Sequence, residues 1–145
     1  MYLRHISDGP LLLVSLFLSY VSSVIESLLI KVFSIIGDGE MQEGQVWEGL
    51  MFAAQHKLKN FVAILDYNKI QSDNFNKNII NIEPLKQKIL SFNWNVIEIN
   101  GHSFNDIDKA INKKFKNDKP IFIIAHTIKG KGVSFMENNN LWHYR

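Results

Sequence analysis

The sequence predicts an α/β fold, a doubly wound parallel sheet with helices on both faces, and three observations carry that expectation. From Lys31 onward, short apolar runs alternate with segments of helical spacing. The first of those runs, KVFSII, is continuous rather than alternating, as strands covered on both faces read. No internal repeat and no linker interrupts that alternation.

In order along the chain, KVFSII (Lys31 to Ile36) reads as the first strand. EGQVWEGLMFAAQHK (Glu43 to Lys57) follows as a helix, with Val46, Leu50, Ala53, Ala54 and Leu58 at spacings of three and four. Trp47 and Met51 on that helix are expected to pack. NFVAILD (Asn60 to Asp66) is the second strand, and the Asn-rich stretch from Asn68 to Asn81 a loop. A short helix is expected from Leu85 to Phe92, with Pro84 at its first turn. NVIEIN (Asn95 to Asn100) alternates as a half-covered strand. Ser103, with Asp106 three residues on, opens a helix to Lys116 in a capping arrangement. PIFIIAHT (Pro120 to Thr127) is the last strand.

At 145 residues and 46% hydrophobic, the chain is long enough for one domain with a sizeable core. Net charge is +2 and the lysines are spread without forming a block, so no nucleic-acid partner is expected. The lack of cysteine excludes disulfides, thiolate metal sites and a cysteine nucleophile, and fits a cytoplasmic protein. The segment before the first strand is different in kind. Pro10 to Ile36 is nearly all apolar, interrupted by Glu26 and Lys31, and hydropathy alone leaves membrane insertion open. If Val32 to Ile36 is a buried strand, Leu11 to Ile30 is most simply a helix packing on the same sheet. The organisation expected is therefore an apolar segment over residues 1–30 and an α/β domain over 31–145.

In such sheets ligands bind at the carboxyl ends of the strands. Asp38, Asn68 and HTIKGKG (His126 to Gly132) all fall just past expected strand ends and should converge on one rim. Gly37 and Gly39 allow a sharp turn and a close backbone approach, and Asp38 between them offers a hard oxygen. The helix that follows directs free N–H groups to the same place, which favours an anion such as a phosphate. A carboxylate beside a phosphate repels it unless a divalent cation joins the two, and magnesium habitually links one or two protein oxygens to phosphates. Asn68, about thirty residues after Asp38, offers a second oxygen.

GDGEMQEGQVWEGLMFAAQHKLKNFVAILDYNKIQSD, continued by INGHSFNDIDKAI and HTIKGKGVSFMENNNLWH, resembles the thiamine-diphosphate-binding portion of transketolases over roughly Val32 to His143. The resemblance implies a partial thiamine-diphosphate-binding fold. Asp38 and Asn68 would bind magnesium through side chains and Ile70 through its carbonyl. Gly37, Gly39 and Glu40 would lie in the cofactor-binding turn, with the Gly39 amide on the diphosphate. Glu43 and Glu48 match acidic residues of a subunit-interface network near the cofactor's pyrimidine, and His143 matches a histidine that reaches cofactor and substrate. The implied reaction is transfer of a two-carbon ketol unit between sugar phosphates. Of the family's Gly-rich segment before GDG, Asp8 to Ser23 retains only Gly9 and scattered leucines and serines.

The chain is thus expected to hold a diphosphate and magnesium half-site, inactive alone, that needs a complementary pyrimidine-binding subunit or a homo-oligomer partner. Two other readings stay open: a degenerate, non-catalytic transketolase fragment, and a membrane-tethered α/β binding domain. His102 and His126 are expected as turn and strand-end histidines, and Lys129 and Lys131 either neutralise a phosphate or stand solvated.

Overall fold

Continuous apolar runs become parallel strands because both of their faces must be covered. The computed structural model describes residues 31–71 and 74–142. Within them, β1 (Val32–Gly37), β2 (Phe61–Tyr67), β3 (Asn95–Asn100) and β4 (Ile121–His126) form one sheet in the spatial order β1-β2-β4-β3, every pairing parallel. The helices are α1 (Gly44–Gln55), α2 (Asn76–Ile79), α3 (Leu85–Ser91) and α4 (Phe104–Asn112). The expected helix over Leu11 to Ile30 lies outside the described residues.

Strand order explains the two layers. The steps from β1 to β2 and from β2 to β3 run in one direction across the sheet, whereas the step from β3 to β4 returns. With right-handed crossovers, this places α1 and α3 on one face and α4 on the other. The core agrees. Val46, Leu50 and Ala53 of α1 and Leu85 and Ile89 of α3 pack with Phe61, Ala63, Leu65, Phe122 and Ile124. On the opposite face Ala110 and Ile111 of α4 pack with Val62, Ile121 and Ile123.

Trp94 anchors the larger core. It is 2% exposed, meets Phe61 and Phe122 edge-on at 5.9 Å, and donates its indole N–H to the Leu50 carbonyl at 2.9 Å. Truncating such a side chain costs roughly 3–5 kcal/mol.

The structure corrects the sequence reading in three places. Trp47 packs as expected, against Phe92 at 5.7 Å and onto the Met41 carbonyl, but Met51 stands half exposed on the outer side of α1. The Asn68 to Asn81 loop contains an antiparallel bridge between Ile70 and Phe75 and the single turn of α2. One turn is too short to display helical periodicity. Finally, α4 ends at Asn112, four residues early, as Lys113 becomes extended and Phe115 packs on the second cluster. At its other end Ser103 Oγ accepts from the Asp106 N–H at 3.3 Å, the expected cap.

Candidate functional site

Because all four strands are parallel, their carboxyl ends share one rim. Gly37 pairs with Asp66, Asp66 with Ala125, and His126 with both Tyr67 and Asn100. Asp38, Asn68 and Thr127 therefore follow directly on neighbouring strand ends, as the sequence implied. The loop after β4 is tied to β2: the Thr127 N–H donates to the Tyr67 carbonyl at 3.2 Å, and its hydroxyl donates to Asp66 Oδ1.

Asp38 is buried, 2% exposed. Its Oδ2 accepts the Lys69 N–H at 2.5 Å. Burial pushes the carboxyl pKa from 3.8 up to about 6, and the Asp66 charge adds to the rise; the Lys69 and Gly39 N–H groups and the Asn76 amide pull it back. Burial makes the charged form of this carboxyl costly, and a cation beside it would offset that cost.

The turn that meets Asp38 has an unusual backbone. Lys69 adopts φ 67, a left-handed conformation that costs a non-glycine residue roughly 1–2 kcal/mol. It lets Lys69 aim its N–H at Asp38 between Asn68 and Ile70. Asn68 Oδ1 accepts the Ile70 N–H at 2.9 Å, satisfying its own turn with one of two lone pairs. The hydrogen bonds around the Ile70–Phe75 bridge run from Gln71 N–H to the Asn74 carbonyl and from Asn76 N–H to the Lys69 carbonyl. The bridge thus makes no use of the Ile70 carbonyl.

The other expected residues divide. Glu40 folds back, its Oε2 accepting the Gly37 N–H at 2.6 Å. Gly39 sits in an ordinary right-handed conformation, φ −66 and ψ −37, so its use is space: a Cβ there would lie 3.1 Å from Gln71 Oε1. Glu43 and Glu48 are exposed at the start and on the outer side of α1. They are not brought to Asp38 within this chain. His143 lies outside the described residues. His102 is a turn histidine, its Nε2 accepting the Ile128 N–H at 2.7 Å, and His126 pairs with Glu98 at 2.9 Å. Lys131 reaches Glu137 at 3.8 Å.

Among the described residues no group of three His, Cys, Asp or Glu could hold a metal ion. A hard cation here would take one carboxylate, Asp38, and complete its shell with neutral oxygens. The donors present fit magnesium in that sense: a buried acid, an amide oxygen and a carbonyl that the bridge leaves alone. Sequence reasoning missed Asn76, which is 4% exposed with neither side-chain amide atom hydrogen-bonded. An asparagine in an Asn-rich stretch carries no signal of burial. It also missed Lys69, whose left-handed backbone only the folded turn reveals.

No helix among the described residues is long and apolar enough to cross a membrane. Comparison with known proteins gives a consistent answer. The family model described as transketolase, thiamine diphosphate binding domain, matches residues 16–144, reaching into the apolar stretch before β1. The 6-deoxy-6-sulfo-D-fructose transketolase subunit of Clostridium sp. (strain MSTE9) is 43% identical over 113 residues, covering 77% of this chain and 41% of that protein. An apulose-4-phosphate transketolase subunit of Phocaeicola vulgatus is 38% identical over 115 residues, 79% of this chain and 41% of that one. The crystal structure of transketolase from Campylobacter jejuni superposes with a TM-score of 0.80 at 31% identity, over 88% of this chain and 21% of that one. The chain thus spans about two fifths of the subunits it matches.

Proposed function

The chain belongs to the transketolase family, in its thiamine diphosphate binding domain, and from that premise we propose that it supplies the diphosphate and magnesium half of a ketol-transferring active centre. The observation that carries this reading is the buried Asp38 carboxylate, met by the strained Asn68–Ile70 turn at the rim of a parallel sheet.

In this reading Asp38 and Asn68 hold magnesium through side-chain oxygens and Ile70 through its carbonyl. The Gly39 N–H contacts the diphosphate, where the lack of a Cβ leaves room for close approach. Glu40 keeps the Gly37 turn closed by holding its N–H. Burial of Asp38 strengthens its attraction for the ion, since the same low-dielectric surroundings that raise its pKa weaken competition from water. The bound cofactor supplies carbanion stabilisation for transfer of a two-carbon unit between sugar phosphates, and the chain orients it.

A partner is part of the proposal. Two of the matched relatives are named as transketolase subunits, which supports a complementary chain for the pyrimidine end. The exposed Glu43 and Glu48 on α1 would face that partner, and His143 would reach the cofactor and substrate.

Calorimetric titration of the chain with thiamine diphosphate tests the reading. Saturable heat that requires magnesium is the expected result. A folded chain that binds no cofactor with magnesium present, whether alone or mixed with a complementary transketolase C-terminal chain, would sink it.

A further inference from the structure

Among the described residues, Asn76 is the one side chain with buried polar atoms that find no hydrogen-bond partner, at both Nδ2 and Oδ1. A buried amide left unsatisfied is destabilising, and an apolar side chain of the same size would fill the space at lower cost. A packing role alone therefore does not account for an asparagine here. Its position is specific. The Asn76 N–H donates to the Lys69 carbonyl at 3.0 Å, and the Lys69 N–H donates to Asp38 Oδ2. One residue thus ties the start of α2 to the turn that meets the buried acid.

Asn76 is 4% exposed, and neither amide atom reaches hydrogen-bond geometry with any protein atom. The Asp38 carboxylate is met by the Lys69 N–H at the turn that Asn76 holds. A small, geometrically demanding cation needs an oriented shell, and outer residues of this kind commonly set metal affinity.

We propose that Asn76 is a positioning residue of the cation and diphosphate site: its buried, unpartnered amide, held at the turn that meets Asp38, completes its hydrogen bonds to a water or phosphate oxygen in the shell of a divalent cation and so orients that shell. The proposal rests on the reading that Asp38 holds magnesium, and it extends the site to a residue outside the GDG and Asn68 pattern. Asn76 touches neither the reacting atoms nor, in this assignment, the ion itself. Its contribution is orientation.

The test uses the full chain and its Asn76→Leu and Asn76→Ser variants. Each is titrated with magnesium chloride at fixed thiamine diphosphate, and the magnesium concentration for half-saturation is read beside the melting temperature of the ligand-free protein. Asn76→Leu should melt at or above the parent temperature yet need roughly tenfold more magnesium or beyond. Asn76→Ser, which keeps a small hydrogen-bonding group, should stay within about threefold. A purely structural residue would move the melting temperature and leave the magnesium requirement alone, so an unchanged half-saturation in Asn76→Leu overturns the proposal. If that variant does not fold, Asn76→Ser decides by comparison with Asn76→Ala. Equal magnesium requirements in parent, Ser and Ala chains would equally overturn it. A parent chain that binds no cofactor with magnesium removes the cation reading itself, and this assignment with it.

Discussion

At the β1 and β2 end of the rim, Asp38 is 2% exposed, meets a left-handed lysine, and has beside it an amide without partners. At the β3 and β4 end, Glu98 is exposed and holds both His126 and Lys86 at 2.9 Å. The two carboxylates shift in opposite directions. Burial raises Asp38, whereas hydrogen bonds from His126 and then Lys86 lower Glu98. One region pairs its carboxylate with two basic side chains; the other buries its carboxylate against a backbone N–H. Electrostatic dissatisfaction, more than any concave shape, separates the candidate site from ordinary surface on the same rim.

The comparison breaks most sharply at Asp38. Asp38→Asn should weaken magnesium-dependent binding of thiamine diphosphate by more than about a hundredfold, since even changes beside a metal ligand cost roughly 10–100-fold. Isothermal titration measures it, and near-parental affinity would return Asp38 to the role of a turn residue. The same variant should be more stable than the parent without ligand. Asp38 has a folded-state pKa of about 6 against an ordinary 3.8, so between those values the folded chain binds more protons than the unfolded one. The parent therefore loses stability as pH rises from about 4 to about 6, and Asp38→Asn does not. The gap at neutral pH should be on the order of 2 kcal/mol, allowing for partial solvent screening. Denaturant melts at several pH values show it, and a gap that shrinks with rising pH would contradict the assignment.

A middle-sized effect is expected in the loop after β4. Gly130 has φ 73, and a Cβ there would lie 2.5 Å from the Met136 carbonyl oxygen. Gly130→Ala should cost roughly 1–3 kcal/mol in chemical denaturation while leaving the magnesium requirement unchanged. A shifted requirement would draw this loop into the cation site.

The smallest effect belongs to Glu98. Its lowered pKa means that its contribution is present above the ordinary carboxylate value and is lost as pH falls below that value through the lower folded-state pKa. Exposure and screening limit it, so Glu98→Gln should change stability by less than about 0.5 kcal/mol and cofactor binding not at all. A binding defect there would blur the contrast between the two ends of the rim.

Much of this was legible before folding. The four strands, α1, the Ser103 cap and the convergence of Asp38, Asn68 and Thr127 on one rim follow from apolar periodicity and from the rule that parallel strands share carboxyl ends. Less legible was the stretch from Asn68 to Ile82. Its bridge and single helical turn arise from hydrogen bonds between residues several positions apart, and no periodic apolar signal announces them. Met51 misled because helical spacing places it near Trp47, yet only Trp47 is on the side that meets Phe92.

Sequence alone determined the fold class and the family and pointed to Asp38, because each is written in local patterns: runs covered on both faces, turns of glycine and aspartate, and a motif with fixed spacing. The tertiary structure decided how strongly that acid is perturbed, that Lys69 bends left-handed to meet it, and that Asn76 lies unpaired beside it. Those properties depend on which side chains exclude water from one carboxylate, and desolvation is set by neighbours brought together from distant parts of the chain.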